Sequence, residues 1–247
     1  MTSEQTIVLI TGANQGVGFE TAKNLLLSDV RYHILLGSRD ITKGNEAVAK
    51  MQGFPTKGTV EVVQIDVSSD ESVDAAAKHV QETHARLDTL VNNAGIIRPG
   101  LPVRDAMREV LATNLIGAAS VTEAFLPLLR KSKSPRLIFV SSSTGSLTHA
   151  STPGTKYHSP SAMEYRSGKA ALNMVMVQYW IRLKDEGFVV IGADPGLVAT
   201  NFMDPEMLRK RGAAEPEVGG ERVACVVRGD RDDGAGKLCG EYGICPW

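Results

Sequence analysis

The chain has 247 residues, 43% of them hydrophobic and 22% charged, with 27 basic against 28 acidic side chains and a formal net charge of −1. Such a chain can bury a core without disulfides or metals. It lacks the concentrated basic face that a nucleic-acid partner requires, since Lys131, Lys133 and the Arg209-Lys210-Arg211 run read as solvated helix ends. Apolar strands then alternate with helical patterns, which predicts βαβ units and a parallel sheet. Strands are predicted at Ile7–Thr11, His33–Ser38, Thr59–Asp66 and Thr89–Asn92. A first helix is predicted over Gly18–Leu27. Ser68-x-x-Glu71 reads as a capping box opening a helix that runs to about Ala85.

A long helix is expected from about Arg104 to Lys131, broken near Pro127. A fifth strand follows at Arg136–Ser142. The segment from Ser143 to Ala162 is rich in Ser, Thr, Gly, Pro and His and reads as loop. Met163–Glu186 is strongly helical, and Val189–Ala193 is a sixth strand ended by Pro195-Gly196. A short helix at Pro216–Val227 and a last strand near Lys237–Cys239 complete the pattern. The expected fold class is α/β, a Rossmann-type doubly wound parallel sheet of about seven strands in a single domain spanning 1–247.

The turn after the first strand, Thr11-Gly12-Ala13-Asn14-Gln15-Gly16-Val17-Gly18, carries glycines in a GxxxGxG spacing. Small residues there let backbone approach a pyrophosphate at a helix N-terminus. About 20 residues on from Gly18, where an NAD enzyme places a carboxylate on the ribose 2′-OH, stand Ser38 and Arg39. Ser38 removes repulsion of a 2′-phosphate and Arg39 can pair with it, which points to NADP(H). Asp40 lies within two residues of that position and can equally cap the next helix.

Tyr165 and Lys169 are four apart and share a helix face. A phenol titrates near 10, and a nearby ammonium is expected to lower that value toward working pH. Ser142 ends the fifth strand, and a period of two turns Ser141 and Ser143 to the other face. Asn114, in mid-helix, calls for a specific reason. Read in order, Thr11–Gly18, Asn92-Asn93-Ala94-Gly95, Ser142, Tyr165-Arg-Ser-Gly-Lys169 and Pro195-Gly196 resemble the short-chain dehydrogenases/reductases. Tyr165 to Asn173 is most similar to their carbonyl-reductase branch, with its sniffer- and C-signal-like members. The resemblance spans Ile7 to about Trp247.

That resemblance implies NADPH-dependent reduction of a ketone or aldehyde. Ser142 would orient the carbonyl oxygen, Tyr165 would act as general acid/base, and Lys169 would tune Tyr165; Tyr165 and Lys169 would both contact the cofactor, Lys169 at the nicotinamide ribose. Asn114 would kink its helix and relay protons through a water. It further implies that Asp66 and Val67 lie near the adenine ring, that Asn93, Ala94 and Gly95 lie near the adenine ribose, and that Pro195, Gly196, Val198 and Thr200 cover the nicotinamide. Gly12, Asn14, Gln15, Gly16, Val17 and Gly18 would hold the phosphates. The 23 residues from Ser142 to Tyr165 exceed the commonest family spacing by about ten. The segment 143–162 is therefore expected to cover the substrate. Tyr157 is a rival to Tyr165 but has Ser161, not lysine, four residues on; His149 and His158 are expected to be solvated.

The region 200–235 is expected to build the substrate pocket, with Met203, Met207 and Leu208 either lining it or packing on the sheet. A homodimer or homotetramer through 104–131 and 163–186 is implied by the resemblance. Non-redox chemistry of the same family (epimerase, dehydratase or cyclase) and an NADPH-sensing binding protein are the alternatives. Cys225, Cys239 and Cys245 form no CxxC and have no histidine cluster beside them, so reduced thiols and no metal site are expected. Ile7–Ile10 is too short for a signal peptide or membrane span, so a cytoplasmic location without a membrane partner is expected.

Overall fold

The computed structural model describes residues 5–247. Eight strands form one sheet: β1 (Thr6–Ile10), β2 (Tyr32–Ser38), β3 (Thr59–Gln64), β4 (Thr89–Asn92), β5 (Arg136–Val140), β6 (Val189–Ala193), β7 (Leu238–Gly240) and β8 (Gly243–Cys245). Their order is β3-β2-β1-β4-β5-β6-β7-β8, parallel from β3 through β7, with β8 antiparallel at the edge. The chain reverses its winding between β1 and β4, and at such a switch point the carboxyl ends of the strands open a crevice. Continuous apolar runs such as TIVLI in β1 and RLIFV in β5 suit strands covered on both faces.

One face is covered by α3 (Asp70–His84), α4 (Val103–Leu111), α5 (Ala118–Leu129) and α7 (Met163–Leu183), around Leu9, Leu90, Phe125, Phe139 and Leu172. The other is covered by α1 (Gly16–Leu27), α2 (Ile41–Gln52) and α9 (Pro216–Arg228), around Val8, Ile34, Ile138 and Val223. Two short helices, α6 (Leu147–Ser151) and α8 (Pro205–Lys210), stand beside the carboxyl edge. The stretch Val103–Leu129 is long and apolar enough to match a membrane span. In this fold its Val110, Val121, Phe125 and Leu126 are buried in the core.

Four expectations are corrected. The cap of α3 is Ser69, whose hydroxyl accepts from Ser72 N at 3.2 Å; Ser68 instead donates to Asp66, which shifts the helix start by one residue. The long helix is interrupted not at Pro127, which lies inside α5, but by a π-helical turn at Ala112–Gly117. The 143–162 segment is not all loop: a 3₁₀ turn (Ser143–Gly145) and α6 occupy its first half, capped by Ser142 and Ser146. The sheet has an eighth strand, a three-residue return that pairs Leu238 with Cys245. Its short, partly exposed sequence carries too little pattern to be read as a strand.

Candidate active site

At the carboxyl edge of the sheet a cleft of about 1670 Å³ opens. At one end lies the glycine turn. Gly12 and Gly16 adopt φ of +63° and +61°, a region open to glycine at no steric cost. A Cβ on Gly18 would stand 2.4 Å from Asn93 Nδ2 and 2.9 Å from Gly12 O, so only hydrogen fits there. Asn93 ties this turn to the end of β4: its amide donates to Thr11 O at 2.8 Å, and its backbone N–H donates to Thr11 Oγ1 at 3.0 Å. Gln15, at the N-cap of α1, makes no side-chain cap, and the first turn holds no acidic residue. The leading N–H groups of α1 are thus left for an anion, and the positive end of the helix dipole favours one.

Next along the cleft, Ser38 is buried and donates to Asp40 O at 2.8 Å. The Asp40 carboxylate accepts from Thr42 N and Lys43 N, so it caps α2 as the alternative reading allowed. Arg39 is exposed at the cleft wall beside Lys43. Asp66 and Val67 line the same end. The Asp66 carboxyl is held below its ordinary value, chiefly by the Ser68 hydroxyl, with Arg39 adding attraction.

At the other end, Ser142 stands in extended backbone just past β5. Thr144 donates to Ser142 Oγ from its hydroxyl (2.9 Å) and its N–H (3.2 Å). With its lone pairs so engaged, the Ser142 hydroxyl has its own proton to give, and it is near enough to the Tyr165 phenol to favour that group's ionised form. Lys169 lies one helical turn further along α7, 4% exposed. Its Nζ donates to Val140 O at 2.7 Å and lies 5.5 Å from the centre of the Tyr165 ring. Phe202 meets that ring edge-on at 5.5 Å. Ser141 turns inward to Asn173 (2.6 Å), as the strand phase requires, but Ser143 returns to the cleft because the backbone coils directly after Ser142.

The electrostatics correct one expectation. The Tyr165 phenol is not made acidic; it is held well above its ordinary value. Burial is the main cause and the Asp194 carboxylate adds to it, while Ser142 works weakly the other way. Burial also lowers Lys169 to about 8, against the attraction of Asp194. The lysine therefore sits near its own titration point, pointed at a backbone carbonyl and not at the phenol oxygen. Proximity at i, i+4 does not overcome removal from water.

All nineteen residues assigned above to the cofactor, Tyr165 and Lys169 among them, line this one cleft, as does Ser142. Asn114 does not. It is 1% exposed, its Oδ1 accepts from Ile96 N at 2.8 Å, and its Nδ2 donates to Ile96 O at 2.9 Å. The side chain clamps the segment after β4 at the π-helical turn, so both of its polar groups are engaged where a water relay was expected.

Sequence reasoning missed Asp194. This carboxylate is 5% exposed and accepts from Ser143 N (2.7 Å) and Gly196 N (2.8 Å). A charged residue ending a buried strand, directly before Pro-Gly, was the available signal. Tyr157 does reach the cleft, but as a neighbour of Ser143, whose hydroxyl donates to the phenol oxygen at 3.0 Å. It stacks on His149 at 4.7 Å, and His149 is half-buried, not solvated. Met203 and Leu208 line the cleft, whereas Met207 is exposed outside it. Tyr242–Pro246, around β8, line it as well.

Comparison with known proteins agrees with this geometry. Residues 6–210 match the family model of the short chain dehydrogenases. The short-chain dehydrogenase/reductase tropE of Talaromyces stipitatus is 37% identical, covering 96% of this chain and 95% of its own. The short-chain dehydrogenase/reductase eupG of a Phoma species is 36% identical, covering 98% and 97%. Among solved structures, an NADPH-bound carbonyl reductase from chicken fatty liver superposes with a TM-score of 0.81 at 26% identity, over 99% of this chain and all of that one. The chain belongs to the short-chain dehydrogenase/reductase family, whose oxidoreductases work with a nicotinamide cofactor.

Proposed function

We propose that the protein reduces a ketone or aldehyde to an alcohol with NADPH. The observation that carries this reading is the convergence of Ser142, Tyr165 and Lys169 in the cleft that also holds the glycine turn. Several features favour the 2′-phosphate: Arg39 and Lys43 at the cleft wall, the neutral Ser38, and the withdrawal of the Asp40 carboxylate into a helix cap. The chicken-liver reductase, bound to NADPH, supports the same choice.

Bound NADPH would supply the hydride to the carbonyl carbon. The protein's part is then position and proton supply. Ser142 and Tyr165 both present O–H donors, and a carbonyl oxygen between them is polarised by two hydrogen bonds. A phenol kept neutral by burial is the form that can give a proton to the forming alkoxide. Lys169 and the 2′- and 3′-hydroxyls of the nicotinamide ribose would hold each other, as the family resemblance implies. A water relay at residue 114 would run through its main-chain carbonyl, because its side chain is engaged by Ile96.

The inserted segment forms the substrate wall. His149, Tyr157 and Ser143 put one polar, aromatic face on the cleft, and Phe202, Met203 and Leu208 give an apolar one. Pairing between copies through α5 and α7 is left the exposed Met174 and Ile181, since Val175, Val177 and Trp180 pack on the core. The test is to count nucleotide consumed per product over a panel of ketones and aldehydes, with NADPH and NADH in parallel. One NADPH per alcohol, with NADH much poorer, is expected. Product formed without nucleotide oxidation would instead establish epimerase- or dehydratase-type chemistry, and nucleotide affinity without any turnover would establish a sensor.

A further inference from the structure

We propose that His33, Glu61 and His84 form a binding site for a divalent transition-metal ion of the zinc type, away from the catalytic cleft. The three come from β2, β3 and the last turn of α3, and none of them lines the cleft. His84 Nε2 stands 2.6 Å and His33 Nε2 3.2 Å from the same carboxylate oxygen, Glu61 Oε1. The three donor atoms all lie within 4.8 Å of one another.

Two imidazole nitrogens and one carboxylate oxygen are a donor set for Zn²⁺, Co²⁺ or Ni²⁺, not for Mg²⁺ or Ca²⁺. Zinc bonds of about 2.0–2.1 Å set tetrahedral ligands roughly 3.3 Å apart: the His33–Glu61 pair already fits, the His84–Glu61 pair at 2.6 Å has to open slightly, and the two histidine nitrogens have to close by roughly 1.5 Å at most. Ring rotation and the half-exposed Glu61 side chain can supply that. Water would complete the fourth position.

Three features prepare the site. His33 pairs with Thr59 in the sheet register, and Glu61, two residues on, shares the face of Thr59. His33 Nδ1 lies 2.6 Å from Thr59 Oγ1, which can hold the proton on Nδ1 and leave the Nε2 lone pair free. Metal-binding histidines are commonly oriented this way by a partner on the other nitrogen. His84 also closes α3, where the helix dipole favours a cation. The ligands are 28 and 23 residues apart in sequence, which is why no spacing motif announced them.

The test is titration of the full, chelator-treated protein with Co²⁺, followed by visible absorption, and competition with Zn²⁺. The expectation is one equivalent bound with tetrahedral-type bands, displaced by Zn²⁺. Affinity should fall about tenfold or more in His84→Asn and Glu61→Gln, with reductase turnover unchanged in both. Because Glu61→Gln preserves shape and hydrogen bonding, it keeps the test valid if the histidine variant folds poorly. Absence of stoichiometric binding, or binding undiminished in both variants and therefore due to other histidines or thiols, overturns the proposal.

Discussion

The two ends of the cleft are built in different ways. The phosphate end is made of backbone: glycines at positive φ, the bare N-terminus of α1, and Asn93 lashing β4 to the turn. Its parts are local, each within a few residues of a strand end. The carbonyl end is made of side chains from distant segments. Ser142 follows β5, Tyr165 and Lys169 ride on α7, Phe202 comes from beyond β6, and Asp194 sits behind them as a common anchor. The first end can be built by turn chemistry alone; the second exists only once the sheet has placed its elements.

Three measurements would break or sharpen that contrast. The largest effect is expected at Tyr165. Tyr165→Phe removes the proton donor and should lower kcat by about 10²–10⁴-fold while leaving nucleotide affinity intact, because nothing at the phosphate end changes. Tyr157→Phe should alter KM more than kcat; equal losses in both variants would show that the acid has been misassigned. Steady-state rates with fluorescence titration of NADPH read both quantities.

Arg39→Ala tests the phosphate end. It should weaken NADPH by about tenfold or more and leave NADH nearly untouched, since a charge-assisted contact contributes about 1.5–3 kcal/mol. An equal loss for both nucleotides would mean that Arg39 does not read the 2′-phosphate.

The smallest change, and the most diagnostic, is Asp194→Asn. Lys169 titrates at about 8 with Asp194 holding it up, and the same carboxylate holds the phenol up. Reduction should therefore decline as pH rises through that region and Lys169 loses its charge. Removing the anion lowers both groups, so the declining limb of kcat/KM should move to lower pH. A limb that stays put or moves upward would deny Asp194 its electrostatic role.

The same contrast explains what could be read from sequence. The positions of the first seven strands, the winding of the sheet, the glycine turn and the Tyr165–Lys169 pair follow from periodicity and short spacings, and these were legible; β8 was not. Asp40 was open between ribose contact and helix cap until its bonds to Thr42 and Lys43 were seen. The break expected at Pro127, the visible helix breaker, does not occur there; the interruption falls at Asn114, where the family resemblance placed a kink, and its contact with Ile96, 18 residues away, was not legible. The sign of the Tyr165 shift was out of reach, because it depends on burial and on a carboxylate 29 residues away in the chain. Local chemistry is written in neighbours, and solvent exclusion is not.

Asp194 also bears on how the cleft opens. One carboxylate grips the backbone of the inserted segment at Ser143 and the Pro-Gly turn at Gly196. On the function proposed above, these two segments cover substrate and dinucleotide, so raising one of them for an alcohol to depart would strain the other.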